Sequence, residues 1–158
     1  MKDKKKILIF LGIVILIALV IFVVYYLSKN SDSNVNNGLD IKYSDGELFV
    51  FEDLKKGSVY EKEIVVTNTS DALKTYSLCW TLADSNLKNG IDLTYEIIGV
   101  GDRAPSLTKS QLPNVKSTIF KQVAILGNKT HTYKIKITNN ASEKASFNGK
   151  IEIKTFKI

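Results

Sequence analysis

The sequence predicts an all-β protein: an antiparallel two-sheet sandwich of about eight strands after one N-terminal transmembrane helix. Three observations predict it. Residues 7–27 are apolar at every position except Gly12. Beyond residue 38 the apolar residues recur in short runs with a period of two. Turn-forming pairs, among them Asp45-Gly46, Asn89-Gly90 and Gly127-Asn128, separate those runs. The 158 residues leave room for one domain of ordinary size after the apolar segment, and none for a TIM barrel or a two-domain dinucleotide enzyme.

Residues 7–27, as a helix, span about 31 Å, which matches a hydrocarbon core of about 30 Å. Tyr25 and Tyr26 end the run, where amphipathic rings favour the headgroup layer. Lys2, Lys4, Lys5 and Lys6 precede it, whereas Lys29 on the other flank is balanced by Asp32. The positive-inside bias then makes residues 1–6 a cytoplasmic basic tail, residues 7–27 a signal anchor, and the rest extracytoplasmic. The expected location is the cell membrane, single-pass, with lipid contacted through residues 7–27. A cleaved secretory signal and a released domain are the alternative. The run is longer than a usual h-region, and the nearest small-x-small site is the poor Ser31-Asp32-Ser33. Residues 28–38, with Val35 as their one apolar residue, read as a flexible linker.

Residues 39–158 then make the sandwich. Leu39, Ile41 and Tyr43 alternate with Asp40 and Lys42. Leu48, Phe49, Val50 and Phe51 follow without a break. Such a run is either buried on both faces, as in a short strand swapped between sheets, or held for a partner. Residues 58–68 place Ile64 and Val66 on one face, and Tyr76, Leu78, Trp80 and Leu82 share another. Leu93, Tyr95 and Ile97 lead into a long connection, residues 99–117, which carries Arg103, Pro105 and Pro113. Within it, residues 106–112 carry the signal for a short helix capped by Ser106. Long connections of this kind are often functional, so Arg103 joins the candidate interaction residues. Residues 118–126, then His131, Tyr133, Ile135 and Ile137, then Phe147, Gly149, Ile151 and Ile153 complete the pattern. Lys150, Glu152 and Lys154 oppose the last set and discourage edge pairing there.

Composition narrows the function. The net charge of +6 is shared between the short basic tail and the remainder, so the domain has no nucleic-acid footprint. His131 is the only histidine, which rules out HExxH and paired-histidine metal sites. Its alternation with Tyr133 and Ile135 near the start of a strand predicts a packed or rim histidine rather than a catalytic base. Cys79 is alone, so no internal disulfide is expected, and alternation points it away from Trp80. Residues 84–92 are oxygen-rich like a calcium loop, but the glycine falls one place late for an EF-hand, and a plain Asn89-Gly90 hairpin explains the same residues. No cofactor, metal or small-molecule substrate is expected, and no catalytic constellation is present to read.

Three stretches carry a resemblance. Gly57-Ser-Val-Tyr-Glu-Lys-Glu-Ile-Val-Val-Thr-Asn-Thr-Ser-Asp71 resembles the glycine, strand and Val-Thr-Asn-Thr of secreted bacterial immunoglobulin-like domains. Leu126-Gly-Asn-Lys-Thr-His-Thr-Tyr-Lys-Ile-Lys-Ile137, with Phe147-Asn-Gly-Lys-Ile-Glu-Ile153, resembles the last strand pair of camelysin and TasA-type surface and biofilm-fibre proteins. The resemblance implies an exported sandwich, Ig-like or jelly-roll-like, with a surface or fibre role, and the long anchor-like helix departs from it. The expected function is a non-enzymatic surface, adhesion or assembly module with a protein partner or self-association. An accessory subunit of a membrane transporter or cell-wall enzyme is the alternative. Leu48, Phe49, Val50, Phe51 and Arg103 are the expected contact residues.

Overall fold

The computed structural model describes residues 38–155 apart from Lys88 and Gly90. The basic tail, the apolar segment 7–27, most of the linker and Phe156 lie outside the described residues. Among the described residues no helix is long and apolar enough to cross a membrane.

Period-two alternation does produce strands, nine among the described residues: β1 (Leu39–Tyr43), β2 (Leu48–Leu54), β3 (Val59–Asn68), β4 (Lys74–Ser85), β5 (Leu93–Val100), β6 (Leu107–Gln111), β7 (Ser117–Ile125), β8 (Thr130–Asn139) and β9 (Ala145–Thr155). They form a five-stranded sheet, β1-β3-β8-β5-β6, and a four-stranded sheet, β2-β9-β4-β7, with every pairing antiparallel. The chain changes sheets between β1 and β2. Where β9 runs on past the start of β2, the Tyr43 hydroxyl donates to the Ile151 carbonyl at 3.0 Å. That contact replaces the missing ladder partner.

The apolar faces of the two sheets meet on Trp80. Its indole packs edge-on to Phe49, Tyr95 and Phe147, with centroids 5.2, 6.0 and 5.6 Å away. Gly149 makes this packing possible, because a Cβ there would lie 2.3 Å from the Phe147 ring and 2.9 Å from Trp80.

Three expectations are corrected. Residues 107–111 are not a helix but the edge strand β6, paired with β5. Thr108 and Ser110 suit a strand, and Leu107 and Leu112 are five apart, which puts them on no common helical face. Gly99 lets this return pass closely, since a Cβ there would meet the Pro105 carbonyl at 2.3 Å. Leu82 does not share the core face of Trp80. A register shift between the two sends Leu82 opposite Lys150 on the outer face and turns Ala83 inward. The last strand is no edge: β9 lies between β2 and β4. Its Lys150 bridges Glu47 at 2.9 Å and Glu152 at 3.2 Å along the outer surface.

Candidate interaction surface

The run Leu48–Phe51 is neither buried on both faces nor wholly exposed. It alternates. Phe49 and Phe51 are core, 0% and 8% exposed, so they cannot offer contacts to a partner. Leu48 and Val50 point outward, 50% and 49% exposed. On that outer face Leu48 stands opposite Lys150, and Lys150 opposite the 39%-exposed Leu82. The Lys150 ammonium is drawn to Glu47 and Glu152, so its stem lies along the strip between the two leucines. Val50 continues the strip toward an open groove of about 460 Å³ lined by Glu52, Asp84, Asn86, Ser146 and Asn148. The result is an apolar strip with a polar, acidic border at the β2 side of the four-stranded sheet.

β2 is also an edge strand, and its outward Leu48 carbonyl is occupied. Lys62 lies on the inner face of β3 with Ile64 and Val66 and is 4% exposed. Its ammonium donates to the Asp45 carbonyl at 2.6 Å and to the Leu48 carbonyl, and lies 5.0 Å from the Phe49 ring centroid. Burial and the Asp45 charge push the hydroxyl of Tyr60, two residues earlier, above its usual range, and the nearby Val50 N–H opposes that shift. Burial pushes the Lys62 ammonium below its usual range, and the nearby Asp45 charge opposes that shift. Neither residue was singled out in the sequence. The signal was present: a lysine in the inward phase of a strand, an arrangement that guards sheet edges.

Arg103 is exposed in the turn after β5, at a φ of 63°, and the Ala104 N–H closes that turn on Gly101. β5 belongs to the five-stranded sheet and β2 to the other, so Arg103 and the Leu48–Phe51 run are not brought together in one sheet. The turn is held from inside. The Asp102 carbonyl can only accept, so His131 Nε2 carries the proton in their 2.7 Å bond. Nδ1 must then accept from the Tyr76 hydroxyl at 2.8 Å, and Tyr76 in turn accepts from the Tyr133 hydroxyl at 2.6 Å. Burial lowers the His131 pKa and keeps the ring neutral, while it pushes Tyr133 up to about 12 and Tyr76 upward as well. This is a packed histidine whose hydrogen bonds run in one direction.

Cys79 faces Thr118 on the outer side of β4, 3.8 Å from its hydroxyl. In the calcium-like stretch Asp84 and Ser85 belong to β4. The Asn86 amide is tied to the chain around β9, donating to the Lys144 carbonyl at 3.0 Å and accepting the Ser146 N–H at 2.8 Å. Among the described residues no group of three or more His, Cys, Asp or Glu side chains is placed to hold a metal ion.

No family model matches the chain, and no curated protein matches it. Among solved structures it is similar to AvmM, which catalyses macrocyclization in alchivemycin A biosynthesis, at 11% identity and a TM-score of 0.36, over 66% of each chain. It is also similar to a family 123 glycoside hydrolase from Clostridium perfringens, at 13% identity and 0.44, over 76% of this chain and 25% of that one. A family two carbohydrate esterase from Cellvibrio japonicus matches at 12% identity and 0.29, over 75% and 35%. The chain thus spans about two thirds of the first of these and about a quarter and a third of the others. Likenesses this distant carry no argument about function.

Proposed function

We propose that the chain is a membrane-tethered, extracytoplasmic β-sandwich, Ig-like or jelly-roll-like, that works as a non-enzymatic surface, adhesion or assembly module. Residues 7–27 supply the tether, and the domain stands outside the cytoplasm. The observation that carries the binding role is the strip Leu48–Lys150–Leu82 with Val50 beside it. A register shift in β4 places a leucine in solvent where strict alternation would have buried it. Adjoining exposed apolar side chains of this kind, rimmed by polar ones, are what a docking surface needs. The resemblance of residues 57–71, 126–137 and 147–153 to secreted surface and fibre proteins points the same way.

The test is association of the full-length chain in its own membrane, read by lysine-reactive cross-linking, for the parent and for Leu82→Ser with Leu48→Ser. The double variant is expected to lose most cross-linked species while its thermal unfolding stays close to the parent's. Unchanged cross-linking would remove the strip from the proposal.

A further inference from the structure

The edge of β2 carries an inference that holds whichever partner the outer face takes. In β2 the Leu48 carbonyl turns away from β9 and is held by Lys62 of β3, and the Val50 N–H lies on the same side, toward Tyr60 of β3. Successive side chains of β3 alternate in direction, so Tyr60 and Lys62 reach the same side, at the spacing that separates Leu48 from Val50. These two groups are the ones an added strand would use first. β2 is therefore an edge strand whose Leu48 carbonyl is filled from within by the facing sheet.

We propose that Lys62 keeps this edge closed, and that the contact it suppresses is antiparallel pairing of β2 with β2 of a second copy, centred on Val50. Positions 48 and 50 turn their backbone groups outward, ahead of the register shift that follows Phe51. Pairing about Val50 sets Val50 against Val50 of the second copy and offsets Leu48 from Leu48 of the second copy. The outward backbone groups of Val50 in the two copies then bond one another. The exposed strips of both copies become neighbours on one continuous sheet face, so the pairing also covers Leu48 and Val50, which stand half-exposed in one copy. Lys62 opposes this in two ways. It takes the carbonyl, and it leaves an ammonium that must give up its carbonyl partners and the Phe49 ring before a strand can enter.

The experiment uses the full-length chain in its membrane with Cys79→Ser, which removes the native cysteine, and Val50→Cys as a probe. Residues that form a hydrogen-bonded antiparallel pair have Cα atoms about 5.5 Å apart, within disulfide range. Copper–phenanthroline oxidation followed by a non-reducing gel reads the pairing. With Lys62 intact, little disulfide dimer is expected. Adding Lys62→Met, which keeps a stem over Phe49 and removes the donors, is expected to raise the dimer roughly tenfold or more, the factor that goes with losing one charge-assisted hydrogen bond. Leu48→Cys in the Lys62→Met chain is expected to give no such rise, because Leu48 does not face itself in this pairing. Equal dimer with and without Lys62 would overturn the inference. So would no dimer in a Lys62→Met chain that unfolds like the parent, or equal linking at positions 48 and 50. If Lys62→Met does not fold, Lys62→Leu decides, since it also removes the donors and keeps an apolar side chain over Phe49. A several-fold rise in dimer supports the gate, and no rise overturns it.

Discussion

Asn68 and Asn139 are the same piece of structure used twice. Each is the last inward residue of its strand, each follows a threonine, and each is fully buried. The Asn68 Nδ2 donates to the carbonyl of Ala72 at 2.7 Å, and the Asn139 Nδ2 donates to that of Glu143 at 2.8 Å, four residues on in both cases. Each Oδ1 accepts the N–H two residues on, from Ser70 and Ala141. The second amide hydrogen then reaches across the domain. From Asn68 it goes to the Ile125 and Leu126 carbonyls at the end of β7, and from Asn139 to Leu54 at the end of β2. One side chain thus shapes the connection to the next strand and ties down an edge strand.

Asn68→Ala and Asn139→Ala are each expected to destabilise the domain by about 2–4 kcal/mol, because several backbone carbonyls lose their donor at once. Asn→Asp is expected to do no better at either site, since a carboxylate cannot donate. Chemical denaturation of each variant checks this. A loss below about 0.5 kcal/mol would mean that water replaces the amide without penalty.

Trp80→Ala is expected to cost about 3–5 kcal/mol, the usual range for deleting a buried large aromatic. Gly149→Ala is expected to destabilise as well, by about 1–3 kcal/mol, because the new methyl must displace the Phe147 ring. By contrast Leu82→Ala is expected to change stability by about 0.5 kcal/mol or less, as a surface position does. Denaturation midpoints of the three variants read the contrast, and a large loss at Leu82 would return it to the core.

Phe49→Thr is expected to cost about 2–4 kcal/mol, while Val50→Thr is expected to fall within about 0.5 kcal/mol of the parent. The two residues are adjacent in sequence and on opposite faces of β2. Equal effects would contradict the alternation.

His131 predicts a pH dependence. Burial depresses its folded pKa below the ordinary value of 6.5, so the folded state favours the neutral ring. The unfolded chain then takes up the proton first as the pH falls. The stability held by neutral His131 is full above about pH 6.5 and declines as the pH drops from there toward the depressed folded value. His131→Gln keeps a neutral donor for the Asp102 carbonyl and is expected to flatten the slope just below about pH 6.5. Thermal unfolding across that window measures it, and an unchanged slope would assign the titration elsewhere.

Alternation in the sequence made most strands legible, because Tyr133, Ile135 and Ile137 in β8 and Phe147, Ile151 and Ile153 in β9 advertise their buried face. What it could not show has physical causes. β6 is a short edge strand of mostly polar residues that buries little, so it leaves no apolar rhythm. The shift at Leu82 adds one residue to β4, and a single register slip reverses the phase beyond it. Strand order is set by contacts far apart in sequence, so β9 gave no sign of being central. Lys62 was visible as an inward lysine, but its role depends on β2 of the other sheet lying against it. Of the candidate contact residues, Leu48 and Val50 remain on the surface and Phe49 and Phe51 do not, a division that the unbroken apolar run concealed.

Outward placement of a tethered domain is the claim on which the functional reading stands, and protease added to intact cells tests it most directly. The expected result is early cleavage between residues 28 and 38, which releases the domain from about Leu39 onward in a resistant form and leaves the N-terminal segment with the membrane. Mass spectrometry of both fragments identifies the cut. A chain that stays whole until the cells are lysed, or one already released into the medium with a new N-terminus, would contradict it.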